Sequence, residues 1–325
     1  MLIIHNQNYN PFFNIACEEY FFKQFSENII FIYRNQPSII IGKHQNAYKE
    51  VNYDFVQDNA IPVVRRISGG GAVYHDLGNL NFAFIQNKSD GNLSDFKGFT
   101  LPILQFLNEI EIPAKLESRN DLRVNGKKFS GNSEHIFKNR VLHHGTLLYN
   151  TNLSNLRNSL RISDYYIDHS VKSVPSPVIN LSDFLAEPIS IEEFEDLLFI
   201  YLKKKFPEAS DYILNDKDIE NINLLIVNKY STWEWNYGYF GNYEFKQNAE
   251  IDGEHLEIYF QVKNGLIQEF KIECPYFNSD ECALIDLSLK NTQHKYSAIR
   301  EKLESLDLFH NDKRISIQNL MKLLF

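Results

Sequence analysis

The chain has 325 residues, 43% hydrophobic and 23% charged, with a net charge of -9 and an aromatic-rich content of 25 Phe and 18 Tyr. This length suits about two domains, each able to bury a core, and the acidic balance argues against a general nucleic-acid binder, which needs a Lys/Arg excess to neutralise phosphates. Cys17, Cys274 and Cys282 form no close pair suited to zinc or a disulfide framework, Met1-Leu2-Ile3-Ile4-His5 lacks a signal-peptide pattern, and no apolar run approaches the roughly 20 residues of a membrane span, so a soluble, cytoplasmic protein is expected, with neither nucleic acid nor membrane as partner.

Asn10-Pro11 opens a helix running to Phe25, with the proline where a missing N–H does least harm and Ile15, Ala16, Tyr20 and Phe21 at helical spacing. Cys17, Glu18 and Glu19 share this helix. Cys17 has no histidine beside it in sequence and reads as a small residue on a helix face rather than a nucleophile. Two β-rich runs, 29–33 and 38–41, lie around the turn Asn35-Gln36-Pro37 and are expected to be neighbouring strands. Gly42-Lys43-His44 invites a P-loop reading, which fails: the upstream glycine is missing, and His44 stands where a magnesium-binding Ser/Thr is needed. Gln45 and Asn46 then either line a pocket or belong to a polar loop.

Arg65-Arg66-Ile67-Ser68-Gly69-Gly70-Gly71-Ala72-Val73-Tyr74-His75-Asp76-Leu77-Gly78-Asn79 lies between the apolar run 61–64 and a second one ending in Ile85. Three adjacent glycines are entropically costly to order, which suggests a backbone that a ligand must approach closely. The stretch reads as strand, anion-receiving turn, strand, against the plainer alternative of a surface turn. A dinucleotide fingerprint is a poor fit, because Tyr74 occupies the position of the third glycine and the pattern continues into a strand through Leu80, Phe82 and Phe84.

The spacing predicts an amphipathic helix over 98–109, with Leu101, Leu104, Phe106 and Leu107 facing inward. Asn125-Gly126 then marks a type I′ hairpin that places Lys128 at the start of the returning strand, on the same face as Ser130. Arg119, Arg123, Lys127, Lys128, Lys138 and Arg140 gather around it in sequence, and a solvated charged hairpin would account for them equally. In the strand candidate 141–149, His143 and His144 point to opposite faces and cannot easily share one metal ion, so one of them can accompany Thr146 toward a pocket. An extended, proline-punctuated connection (172–181) leads to helices over 191–206 and roughly 218–230, then to Trp233 and Trp235, which read as anchors of a domain edge. Strands over 243–251, 256–263 and 266–273, with a second Asn-Gly hairpin at Asn264-Gly265, precede a helical tail. They suggest a small α+β domain of about 85 residues.

The block 65–79, Asn120-Asp121, Lys128-Phe129-Ser130-Gly131 and His143-His144-Gly145-Thr146-Leu147-Leu148 resemble the signature set of lipoate protein ligases, and the resemblance runs from Asn14 to about Gly238. Beyond it, Glu273-Cys274-Pro275-Tyr276-Phe277 replaces the family's Gly-Asp-Phe-Phe-like turn. The resemblance implies an α/β (α+β) fold, with a mixed-sheet catalytic domain over 1–240 like the cores of biotin protein ligases and class II aminoacyl-tRNA synthetases, and an accessory domain over 241–325. It implies ATP and Mg2+ as cofactors and lipoate as substrate. ATP and lipoate would give the intermediate lipoyl-AMP, and the acyl group would then pass to a lysine of a partner. The implied partners are lipoyl domains of 2-oxoacid dehydrogenase acyltransferase subunits and the H-type carrier protein of glycine cleavage.

By motif matching, Lys128 carries over as the catalytic cation. Arg66, Gly71, Ala72, Val73 and Tyr74 carry over as nucleotide or lipoate contacts, with Ser68, Gly69, Gly70, His75, Asn120, Asp121, His144 and Thr146 beside them. Asp121 either holds magnesium or orients Lys128. Two rivals remain: a transferase on the same fold that uses preformed lipoyl-AMP or a carrier-bound acyl group, and a non-catalytic lipoate-binding adaptor. No cysteine lies in the signature blocks, which favours the ligase over a cysteine-dependent transferase.

Overall fold

The computed structural model describes residues 1–88, 94–117, 120–187, 189–251, 253–309 and 315–325. Arg119 of the expected basic cluster lies outside them. The chain divides into two compact units, one of residues 1–43, 61–160 and 173–232, the other of residues 44–60, 161–172 and 233–325.

The first unit is built on an eight-stranded mixed sheet. Its strand order is Ser210–Asp211, Leu2–Asn6, Ile29–Arg34, Asn79–Asn87, Arg140–Leu148, Lys127–Phe137, Asp121–Val124 and Lys115–Leu116. Ile29–Arg34 is buried at every position, as a continuous apolar run must be when both faces of a sheet are covered. It pairs in parallel with Leu2–Asn6 and antiparallel with Asn79–Asn87. Helix Pro11–Gln24 begins at the expected proline, capped by the Asn10 side chain, which accepts from the N–H groups of Phe12 and Phe13. Residues 13–22 of this helix are all buried, carboxylates included, so it is an interior element rather than an amphipathic one.

Two expectations are corrected here. The runs 29–33 and 38–41 are not paired neighbours. Ser38–Ile41 belongs to a separate three-stranded sheet, parallel to Val63–Arg65 and antiparallel to Val73–His75. Residues 29–33 and 39–41 are apolar without interruption, so neither run carries an alternation that would specify its partner. Helix Phe96–Glu109 starts two residues earlier than predicted and turns Phe99, Ile103, Phe106 and Leu107 to the core, leaving Leu101 45% exposed.

The Asn125-Gly126 hairpin forms as predicted, with φ of 50° and 74° at its central residues, but Lys128 does not share a face with Ser130. Leu122 pairs with Ser130 and Arg123 with Lys128, and this bulge at Phe129 turns Lys128 to the side of Gly131. The Asn264-Gly265 hairpin also forms, in the second unit, with φ of 52° and 76°. That unit holds an antiparallel sheet in the order Tyr166–Ile167, Tyr243–Ile251, Glu254–Lys263, Leu266–Glu273, and helices Ser279–Leu289, Tyr296–Glu304 and Ile317–Leu324. Its core includes Tyr48, Tyr166, Phe245, Phe260 and Leu324. Asn46 caps a short helix there by accepting from the Tyr48 N–H, donates to Asp168 and, like Gln45, is buried. Trp233 acts as an anchor, its indole N–H donating to the Tyr48 hydroxyl at 3.1 Å.

Candidate active site

The glycine turn leaves Val63–Arg65 and returns as Val73–His75, so both its ends are fixed on Ser38–Ile41. Arg66 is buried beneath it. Its Nε donates to Ser68 Oγ (2.9 Å), its Nη1 to the Ile40 carbonyl (2.9 Å) and its Nη2 to the carbonyls of Gly69 (2.6 Å) and Gly71 (2.8 Å). Arg66, expected as a nucleotide or lipoate contact, thus braces the turn with these hydrogen bonds. Burial lowers its guanidinium to about 10, against the opposing influence of Glu18 and Tyr33, which leaves it cationic at neutral pH. Ser133 Oγ donates to the Gly69 carbonyl at 2.8 Å, and the Ala72 N–H donates to Ser173 Oγ at 2.9 Å. Gly70 has φ of +84°, a conformation that favours glycine, and a Cβ on Gly71 would stand 3.2 Å from the Ser173 backbone. Val73 and Tyr74 pair with Ile40 and Ile39, and Tyr74 is buried.

A buried polar chain crosses from the turn to the helix Pro11–Gln24. Ser68 Oγ lies 2.6 Å from His144 Nε2, His144 Nδ1 lies 2.8 Å from Glu18 Oε2, and the Tyr33 hydroxyl donates to Glu18 Oε1 at 2.9 Å. Ser68, His144 and Glu18 resemble a hydrolytic triad in their distances alone. Ser68 has no exposed surface and its oxygen already accepts from Arg66, so the chain positions groups rather than presenting a nucleophile. Cys17 is fully buried and its thiol is pushed up by burial and by neighbouring carboxylates, which removes it as a nucleophile. His143 points to the other face, between Glu134 and Asn132 and stacked on Phe99 at 5.0 Å. The strand alternation thus separates the two histidines.

Lys128 Nζ is 2.8 Å from Asp121 Oδ1, and Arg123 Nη2 is 3.0 Å from Asp121 Oδ2. The lysine side chain folds over Gly131, where a Cβ would meet both Cε and Nζ at 3.2 Å. The Gly131 N–H donates to Thr146 Oγ1 at 3.3 Å, and one register step along, His144 stands opposite Ser133. Lys128, Gly131, Thr146, Ser133 and His144 are thereby gathered on one side of the strand pair, to which Ser133 also ties the glycine turn. Asn120 is exposed, and its carbonyl accepts from the backbone and side-chain N–H groups of Asn132. Arg140 is drawn away from this cluster, donating to the carbonyls of Glu27 and Ser26 and to Asn87. Among the described residues no group of three or more His, Cys, Asp or Glu side chains is placed to hold a metal. The Asp121 carboxylate, bound to two cations, does not fit a metal ligand in this arrangement.

His75 is buried, with Asn35 Nδ2 2.9 Å from its Nδ1. The amide can only donate there, so the neutral ring carries its proton on Nε2, which is buried and has no partner among the described residues. Burial, reinforced by Arg66 and His144, lowers the imidazole to about 3. An unfolded imidazole titrates near 6.5, so between these values the unfolded chain binds the extra proton. The stability from keeping His75 neutral is complete above about pH 6.5 and is lost as pH falls toward about 3. The variant His75→Gln is expected to show a shallower loss of stability than the parent between about pH 7 and pH 4. Urea unfolding across that range checks this, and parallel slopes would refute it.

Glu18, Tyr33, Asn35, Ser133 and Ser173 escape motif reading because each reaches the site from a distant part of the chain. The burial of the Glu18 carboxylate in an apolar helix was the one local signal available.

A mixed-sheet α/β domain here joins a braced glycine turn, through Ser133, to the strand that carries the hairpin lysine. The model of the lipoyl protein ligase A/B catalytic domain matches residues 10–203, and that of the bacterial lipoate protein ligase C-terminus matches residues 241–324. The chain belongs to the lipoate protein ligase family. It is 39% identical to lipoate–protein ligase 1 of Staphylococcus aureus over 330 residues, covering 100% of both chains. It is similar to the bipartite lipoate protein ligase of Thermoplasma acidophilum, solved in a study of that enzyme and its E2 lipoyl domain, at 27% identity and a TM-score of 0.62 over 73% of this chain and 96% of the other. The structure of a lipoate-protein ligase A bound with ATP matches at 27% identity and a TM-score of 0.62, over 73% of this chain and 98% of the other. Among the described residues no helix is long and apolar enough to cross a membrane.

Proposed function

We propose that the chain is an ATP-dependent lipoate–protein ligase that works through lipoyl-AMP. A lipoate carboxylate oxygen attacks the α-phosphorus of ATP, the bond from that phosphorus to the bridging oxygen breaks, and pyrophosphate leaves. The amine of an acceptor lysine then attacks the acyl carbon, AMP departs with the C–O bonding pair, and the nitrogen sheds its proton. Step one brings two anions together, so it needs fixed positive charge and donors at their meeting point.

The observation that carries this reading is the Lys128 ammonium, held by Asp121 over the bare backbone of Gly131 on the strand to which Ser133 ties the glycine turn. Lys128 supplies a compact movable charge. Arg66 supplies a fixed charge behind the turn, whose glycine backbone lets an adenylate approach without side-chain clash. The His75 Nε2–H is a buried donor without a partner among the described residues. Asp121 orients Lys128, and no step is routed through a metal. Magnesium would accompany the triphosphate, whose oxygens are its usual partners.

We assign this chemistry to residues 1–240 and an accessory role to 241–325, a division supported by the extents of the two matching family models. The acceptors proposed are the lipoyl domains of 2-oxoacid dehydrogenase acyltransferase subunits and an H-type carrier protein. The E2 lipoyl domain studied with the Thermoplasma enzyme supports the first of these. Lipoate-dependent exchange of labelled pyrophosphate into ATP tests the reading. Absence of exchange together with transfer from synthetic lipoyl-AMP would replace the ligase by a transferase, and binding of lipoate alone would leave an adaptor.

A further inference from the structure

We infer that Arg123 is a positioning residue for the proposed adenylation, acting through Asp121 on Lys128; this rests on the Lys128-centred reading above. Arg123 lies on the strand Asp121–Val124, and its guanidinium joins three parts of the first unit. Nη2 donates to Asp121 Oδ2 at 3.0 Å and to Ser176 Oγ at 2.9 Å, and Nη1 donates to the Gly126 carbonyl in the hairpin turn at 2.8 Å. Ser176 belongs to an extended strap, residues 173–179, that touches both walls of the site. At one end Ser173 accepts from the Ala72 N–H beside the glycines. At the other, the Lys128 N–H donates to the Pro177 carbonyl at 2.9 Å and the Ile179 N–H donates to the Lys128 carbonyl at 3.0 Å. The strap thus holds the backbone of Lys128, while Arg123 fixes the carboxylate that holds its side chain.

Charge explains why a second cation belongs there. Lys128 can assist adenylation only if its ammonium exchanges Asp121 for the oxygens of the reacting anions. Asp121 paired with Lys128 alone would direct its full negative charge at the ammonium and resist that exchange. Arg123 shares the charge through the other carboxylate oxygen and keeps the carboxylate from swinging. With side chains 22%, 14% and 25% exposed for Arg123, Asp121 and Lys128, the three groups are partly desolvated, and such triads couple more strongly than exposed pairs.

The test is steady-state pyrophosphate–ATP exchange on the full chain. R123M is expected to lower kcat about tenfold with KM for lipoate and ATP within about twofold, the coupling typical of groups in one charged network. R123K, which restores charge at Asp121, is expected to recover activity to within about threefold of wild type. In a D121N background, R123M is expected to add no further loss, because the group through which Arg123 acts is gone. A kcat for R123M equal to wild type, an equal R123M penalty in the D121N background, or an R123K no better than R123M would each overturn the inference. Wild-type protein without exchange would instead remove the ligase reading itself, so the two failures are distinguishable.

Discussion

Lys128→Met is expected to lower lipoate-dependent pyrophosphate–ATP exchange by about 10²–10³-fold, the cost of removing one preorganised charge from a developing anionic centre. Its melting temperature should move little. Asp121 keeps Arg123 as a partner at 3.0 Å when Lys128 is removed, so no carboxylate is left without a counter-charge. Activity and stability therefore separate in this variant, which distinguishes a catalytic cation from a structural one. Lys128→Arg should not rescue the loss: the side chain folds onto Gly131 within 3.2 Å of a position where even a Cβ would crowd it, and a planar fork is wider than an ammonium. Exchange kinetics with thermal melts of the same samples decide the matter. A Lys128→Met enzyme keeping more than about a tenth of wild-type exchange would refute the role, since that residual is well above what loss of such a charge leaves.

Gly42→Ala is expected to damage both fold and activity, even though residue 42 lies outside the signature block. A Cβ there would stand 2.1 Å from the Gly70 carbonyl oxygen and 3.1 Å from that of Gly69. The obstacles are backbone atoms of the turn itself and cannot rotate aside as a side chain would. The Gly42 carbonyl also accepts from the buried Arg65, and the Lys43 N–H donates to the Ser68 carbonyl at 2.8 Å, so displacement on either side breaks bonds that hold the turn. A destabilisation of about 1–3 kcal/mol follows from forced overpacking, with a fall in kcat/KM from the shifted glycine backbone. Gly69→Ala is the control, because a Cβ there meets nothing within 4 Å, and its melting temperature should match wild type. Equal melting temperatures for Gly42→Ala and wild type would show that the turn does not depend on this close approach.

Much of the site was legible where chemistry and local geometry coincide. Asn125-Gly126 specifies a hairpin because few other residue pairs accept positive φ at both positions. That turn delivers Lys128 to the returning strand, and the period of two places His143 and His144 on opposite faces. The arginine beside the glycines was legible as a charge but not as a brace, because its acceptors include the Ile40 carbonyl, which only the parallel pairing with Ser38–Ile41 brings near. Leu101 was misplaced for a simpler reason: the buried stripe runs through Phe99, Ile103, Phe106 and Leu107 at i, i+4, i+7 and i+8, and Leu101 lies about 200° around the helix from Phe99 and Ile103.

The sequence by itself determined the local conformations and the supply of reactive groups: the capped helix at Asn10-Pro11, the two Asn-Gly hairpins, the glycine turn and Lys128. Tertiary structure alone decided which of these meet. It sent 29–33 and 38–41 into different sheets, grouped 44–60 and 161–172 with 233–325, and brought Glu18, Ser133 and Ser173 to the glycine turn. The physical reason is one of range. Caps, turns and side-chain alternation are settled within a few residues by backbone sterics and hydrogen bonding, whereas an all-apolar strand or a buried carboxylate is compatible with many partners until the core packs around it.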